Sequence, residues 1–317
     1  MSTVKFENTF NARKLLMVSL LAGSIAACGN QGDGGQIFGD GGTPAGAAAG
    51  TPGPAGAAPA LGTAGAFGGF GGNAGMTNQG LSTVIVGAQG QPVSIGTTGA
   101  STLMTGFHDN SIPYTPLVTG CAYTETPLNQ GAVNGTIMTA APPPNITCPA
   151  EGTAATFAAA QAAAADALIA FNDLAGRPGA ADPGANLGGL TLAPGIYKTA
   201  GGGFLLTGSD LTLDAGGNAN AVWVFQMANT LTVGAAGAPR SVILAGGAQP
   251  KNVFWQVGSA ATINGAGGGT MVGTIISSAA TTFSTAGNPC CTTLNGRALA
   301  LNASVTMVNT VINVPTP

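Results

Sequence analysis

Between residues 194 and 307 the chain repeats itself, with two kinds of short β-type segment alternating every 20 to 30 residues and Gly or Asn between them. Repetition at such a period marks a solenoid, because one unit cannot bury its apolar side alone and stacked units can. The first kind reads Pro194-Gly195-Ile196-Tyr197-Lys198, Ala221-Val222-Trp223-Val224-Phe225-Gln226, Asn252-Val253-Phe254-Trp255-Gln256-Val257, Val272-Gly273-Thr274-Ile275-Ile276 and Asn295-Gly296-Arg297-Ala298-Leu299-Ala300. The second kind carries a central threonine: Leu211-Thr212-Leu213, Leu231-Thr232-Val233, Ala261-Thr262-Ile263, Thr281-Thr282-Phe283 and Val305-Thr306-Met307. Side chains alternate across a strand, so the flanking residues point inward and the central threonine outward. Rungs about 4.8 Å apart would stack Thr212, Thr232, Thr262, Thr282 and Thr306 into a ladder on one exposed face. Thr230 and Ser304 begin a second column beside it.

Charge does not cover such a surface. Only 6% of the 317 residues are charged, against roughly 25% in an ordinary domain. Glycine, at 53 residues, and other small side chains suit close stacking of β rungs. Net charge is −3 and no Lys/Arg cluster follows residue 14, so the footprint that nucleic acid requires is missing.

Lys5, Arg13 and Lys14 precede the apolar run Leu15-Leu16-Met17-Val18-Ser19-Leu20-Leu21-Ala22, too short for a permanent membrane span and built like a signal peptide over residues 1–27. Ile25-Ala26-Ala27-Cys28 looks like a bacterial lipobox, which makes Cys28 the lipidation site and the mature N-terminus. The alternative is a plain secretory signal that ends beside a cysteine. The expectation is therefore an exported chain, lipid-anchored in the outer membrane or at the cell surface, or else secreted. Residues 28–78 are Gly/Ala/Pro-rich with few large apolar groups and read as a disordered tether. That leaves 79–317 as the folded domain. It includes a Pro-rich capping excursion over 119–150 and an alanine-rich helix over 153–175, with Phe157, Ala164, Leu168, Phe171 and Leu174 on roughly one stripe.

Chemistry-bearing patterns are sparse. His108 is the single histidine, beside Asp109 with no nucleophile elbow nearby, and reads as a loop residue. Asp166, Asp173, Asp182, Asp210 and Asp214 form no acid/base pair. Asp173 and Arg177 stand one helical turn apart and suit an i,i+4 ion pair. Gly201-Gly202-Gly203 and Gly267-Gly268-Gly269 lack the Lys-Ser/Thr of a phosphate loop. In an exported chain Cys121, Cys148, Cys290 and Cys291 read as disulfide partners, not metal ligands. Cys121 with Cys148 is the favoured pair, and the adjacent Cys290 and Cys291 pair with each other or with other cysteines. No catalytic residue, cofactor or metal is expected, and the chain is read as a monomer and not an enzyme.

In family order, Ala167-Leu168-Ile169-Ala170-Phe171-Asn172-Asp173-Leu174-Ala175-Gly176-Arg177, Leu192-Ala193-Pro194-Gly195-Ile196-Tyr197, Ala221-Val222-Trp223-Val224-Phe225-Gln226, Asn252-Val253-Phe254-Trp255-Gln256-Val257-Gly258 and Leu294-Asn295-Gly296-Arg297-Ala298-Leu299-Ala300 resemble the bacterial and fungal ice-binding protein family of the domain-of-unknown-function 3494 type. The resemblance implies a mainly β fold: a right-handed, triangular β-helix, discontinuous in sequence, with one long α-helix packed alongside. Buried Trp223, Phe225, Phe254 and Trp255 fit its core. It also implies adsorption to ice through a flat threonine-bearing face, the partner being ice or ordered water. The ladder is the first choice. The neighbouring face with Thr270, Thr292 and Thr293, where the family's Thr-Gly-x-Thr motifs would fall, is the second. The family's Gly-Asp-Ile/Leu-Gly-Val-Ser-Pro-Gly segment is missing between residues 80 and 150. A surface adhesin or envelope module binding polysaccharide or protein is the rival class.

Overall fold

The structure, a computed structural model, describes residues 51–109, 125–143, 151–265, 267–284 and 290–316. Its strands are rich in Val, Ile, Phe, Trp and Thr, residues that fit a pleated, half-buried surface. Each named strand among the described residues pairs with its neighbours in parallel. The chain winds through three sheets in turn. Trp223–Met227 lies in a twelve-stranded sheet, Leu231–Val233 in a seven-stranded sheet and Val242–Ala245 in a three-stranded sheet, after which Val253–Val257 returns to the first.

The twelve-stranded sheet turns a corner within two long strands, Thr270–Ser277 and Thr292–Ala300. The first half of Thr292–Ala300 lies beside Thr310–Val314, which in turn pairs with Thr83–Gly87, while the second halves of the two long strands lie beside Val253–Val257 and Phe67–Gly71. Gly273 and Gly296 pair at the bend. Gly273 holds φ +101, and a Cβ at position 296 would strike its carbonyl, so this corner needs glycine on both strands.

Order in space departs from order in sequence. In the seven-stranded sheet, Phe204–Leu206, Leu231–Val233, Ala261–Asn264, Thr281–Ser284 and Val305–Met307 follow one another, and then the early strands Met76–Asn78 and Met104–Thr105 stack onto the last. Arg297 fastens this junction: its Nε donates to Gly65 O at 3.0 Å and its Nη2 to Pro315 O at 3.1 Å. Burial lowers its guanidinium to about 10, because a cation taken out of water is disfavoured.

Two expected boundaries are corrected. Residues 51–78 are not tether: Phe67–Gly71 and Met76–Asn78 are internal rungs. Ahead of them Gly53 N donates to Gly179 O, and Arg177 Nη1 donates to Ala55 O and Ala57 O. The tether signal was glycine and alanine content, which buried β rungs share when backbones pack closely. The capping excursion likewise contributes Gly131–Val133 and Ile137–Ala140 to the twelve-stranded sheet.

The helix spans Ala154–Gly176, opened by a capping box between Thr153 and Thr156. It buries Ala160, Ala163, Ala167, Ala170 and Leu174, spaced three and four apart as one helical face requires. The expected stripe holds at Leu174, with Ala164 and Phe171 packed at its edge, and is corrected at Leu168, which is 49% exposed, because methyl-sized side chains let the helix approach Val224, Phe254, Ile276 and Leu299 closely. Gln226 Nε2 donates to Leu174 O and Arg177 O, each at 2.8 Å, satisfying carbonyls that a helix end leaves open. The expected Asp173–Arg177 pair forms at 2.6 Å.

Alternation divides the aromatic residues between two clusters. Phe254 packs toward the helix, which corrects its expected place inside the solenoid. Tyr197, Phe225 and Trp255 point inward and stack along the axis, with ring centroids 5.5 and 4.0 Å apart. Trp223 and Trp255 satisfy their indole N–H groups on Leu192 O and Val272 O.

Candidate functional site

The seven-stranded sheet aligns the outward threonines. Thr232 pairs with Thr262, Thr262 with Thr282, Thr282 with Thr306, Thr306 with Thr77 and Thr77 with Thr105. Six consecutive rungs therefore present a threonine at one register position, repeating at about 4.8 Å. On either side in sequence the neighbours are buried: Leu231 and Val233, Ala261 and Ile263, Val305 and Met307. Each threonine is itself partly exposed, and none of the six hydroxyls hydrogen-bonds another described residue. Their hydroxyls are left to water while their β-branched stems stiffen the rotamer.

Thr212 does not belong to this array. It lies in Leu211–Asp214 of the three-stranded sheet, between Thr191 and Ile243. The outermost rung of the ladder sheet is instead Phe204–Leu206, which sets Leu205 opposite Thr232. Leu211-Thr212-Leu213 imitates the apolar-Thr-apolar pattern, whereas the true rung carries leucine outward. Thr77 escaped the sequence reading because it falls in the supposed tether, and Thr105 because its strand, Met104–Thr105, has only two residues. Their local signal, methionine before the threonine, was the same inward-outward alternation.

Backbone hydrogen bonds carry the register one step further. Leu231 N donates to Ala260 O, Ala261 N to Ala280 O and Thr281 N to Ser304 O. The second column is thus Thr230, Ala260, Ala280 and Ser304, and Val305 N carries it on to Gly75 O: hydroxyls at Thr230 and Ser304, methyls between them and a bare backbone at Gly75. No Asp, Glu, Lys or Arg stands in either column.

On the neighbouring side, Thr270 pairs with Thr293, Thr293 with Val311, Val311 with Val84 and Val84 with Ala132. Thr292 is corrected: it is fully buried, in an inward column with Thr310 and Thr83. His108 is also corrected, since it lies in the strand Phe107–Asp109, not a loop, with Nδ1 2.7 Å from Glu125 Oε1. The sulfurs of Cys290 and Cys291 lie in bonding contact. Cys28, Cys121 and Cys148 fall outside the described residues.

A parallel β-solenoid with one docked helix and a side on which threonines stand in register, in columns free of charge, defines a class of protein that works by presenting a repetitive surface. Comparison with known proteins narrows the class: the family described as Ice-binding-like matches residues 70–313, and the chain belongs to that family. An ice-binding protein of Nostoc sp. (strain HG1) is 42% identical over 144 residues, 45% of this chain and 49% of the relative. One from Flavobacterium frigoris (strain PS1) is 36% identical over 152 residues, 47% of this chain and 50% of the relative. The chain thus spans about half the length of these curated relatives. Among solved structures, an ice-binding protein from an Antarctic biological consortium has a TM-score of 0.56 at 28% identity, covering 83% of this chain and 92% of its own. An Arctic yeast ice-binding protein with antifreeze activity has a TM-score of 0.59 at 26% identity, covering 82% and 95%.

Proposed function

We propose that the chain binds ice through the side that carries the threonine ladder. The observation that carries this reading is the register of Thr232, Thr262, Thr282, Thr306, Thr77 and Thr105 on consecutive rungs. Each methyl group favours cage-like water and each hydroxyl hydrogen-bonds it. Rungs at fixed spacing hold several such waters in lattice-like order at once. Charged groups would orient water differently, and the two columns carry none. Adsorption to ice then limits crystal growth or recrystallisation, with no cofactor and no catalytic step.

The test is thermal hysteresis and ice recrystallisation inhibition by the purified full chain, beside a variant with Thr232→Tyr, Thr262→Tyr and Thr282→Tyr. Activity in the parent that disappears in a folded variant supports the reading. Full activity in the variant moves the site elsewhere, and a folded parent without activity refutes ice binding.

We further propose that the winding is right-handed, the hand that parallel β crossovers adopt, that Cys290 and Cys291 form a disulfide, and that Cys28 carries a lipid anchor holding a monomer at the bacterial envelope. Intact mass with and without reductant reads the disulfide. Cys28→Ser should shift the protein from the membrane fraction to the soluble one; an unchanged distribution refutes the anchor.

A further inference from the structure

We infer that the outer face of the helix is a membrane-docking surface, which lays the solenoid on the lipid layer that holds its anchor. The inference rests on the proposed lipid anchor at Cys28 and adds a fixed orientation to it.

The sheet uses only one side of this helix. Ala160, Ala163, Ala167, Ala170 and Leu174 are buried against it. The opposite side is bare: Ala154, Ala158, Ala162, Ala165, Leu168 and Ile169 are exposed, the last two at 49% and 64%. With 3.6 residues per turn, these six fall within about a third of the helix circumference. By length and composition the helix is apolar enough to cross a bilayer, and no Lys or Arg occurs within it. Its two carboxylates are engaged at the margin of the face, Asp166 by Thr63 N at 2.6 Å and Asp173 by Arg177 at 2.6 Å. What remains is a strip of methyl and butyl groups, suited to the acyl boundary of a lipid layer and not to its charge.

The place where the chain enters the fold argues for lipid as the occupant. From Thr51, the first described residue, the chain runs against the C-terminal end of the helix: Gly53 N donates to Gly179 O, and Arg177 Nη1 to Ala55 O and Ala57 O. Gly62–Ala66 then follows the helix, with Thr63 held by Asp166. Cys28 precedes Thr51 by 23 positions, a reach of at most about 80 Å. The anchor is therefore tied to the helix side of the molecule. A face too weak to hold a membrane from free solution is sufficient once a short tether keeps it there at an effective concentration of about a millimolar. The helix packs on the twelve-stranded sheet and the ladder lies in the seven-stranded one, so docking by the helix leaves the ladder open to the medium. With no cation on the face, docking needs no anionic lipid and withstands salt.

The test reconstitutes the lipidated full chain in vesicles of phosphatidylcholine and phosphatidylethanolamine with brominated acyl chains, which quench a nearby indole. Trp223 and Trp255 are fully buried, so the parent supplies the baseline. The added emission of Ala165→Trp, on the helix face, should be mostly lost, while that of Thr262→Trp, on the ladder, should persist. Adding Leu168→Glu and Ile169→Glu to Ala165→Trp should restore its emission. Quenching at both positions or at neither overturns the inference and leaves the anchor standing. Quenching that requires phosphatidylglycerol and disappears in high salt overturns it as well. Concentration-dependent dimerisation of the Cys28→Ser chain that Leu168→Glu and Ile169→Glu abolish would assign the face to a second copy instead. A chain whose intact mass shows no lipid on Cys28 overturns the anchor and this inference together.

Discussion

At the scale of single residues, the ladder ends where a leucine replaces a threonine. Leu205 stands opposite Thr232 and is 43% exposed. Leu205→Thr adds a seventh hydroxyl in register. One net hydrogen bond contributes about 0.5 kcal/mol at the low end, about twofold in affinity, so the concentration that halves recrystallisation should fall by about that factor; a rise or no change would show that the last rung lies outside the contact. Tyr197 gives a pH signature. Burial pushes its phenol up to about 12 from a usual 10.0, and its hydroxyl donates to Ala193 O at 2.6 Å. The folded state thus favours the neutral phenol. Its contribution is fully present below pH 10 and lost as the pH rises through about 12. Melting temperature should drop between those values in the parent and drop less in Tyr197→Phe. The residue scale is also where the sequence was hardest to read. Thr292 and Thr293 are neighbours, yet one is core and the other surface, because a strand shifted by one residue inverts every side chain.

The helix shows what composition hides at the scale of an element. Its sequence is apolar nearly all round, so the stripe Phe157, Ala164, Leu168, Phe171 and Leu174 reads as one face, although Leu174 is buried and Leu168 is 49% exposed. The close approach of helix to sheet instead selects the alanines. Ala167→Leu should therefore destabilise by about 1–3 kcal/mol through overpacking, while Leu168→Gln should stay within about 0.5 kcal/mol. Equal effects in denaturant unfolding would contradict this docking. Among the strands, those rich in Trp, Phe and Ile around Trp223–Met227 and Val253–Val257 were legible, since a continuous apolar run with β-branched and aromatic residues has few other destinations. Short strands such as Met76–Asn78 and Met104–Thr105 were not. Three residues or fewer carry too little period to separate them from loops.

For the whole molecule, a boundary drawn at residue 79 would cut the fold open. Phe67–Gly71 pairs with Thr292–Ala300 on one side and Ser94–Ala100 on the other, and Met76–Asn78 bridges Val305–Met307 to Met104–Thr105. A chain of residues 79–317 should lose cooperative melting, whereas residues 47–317, one compact unit, should melt like the parent; equal melting of the two would refute the role of these rungs. Pairings that join residues more than two hundred positions apart also predict slow folding. Both segments that flank the repeat meet in the middle of the array, and this has a consequence for lineage. An open solenoid can lengthen by gene duplication, since a new copy finds a free edge. Here the last threonine strand already lies against an early one, so an appended copy has no place to stack. Growth of the array would instead have to come at its outermost strands, Phe204–Leu206 and Met104–Thr105, by insertion within the chain and not by extension after the last threonine strand.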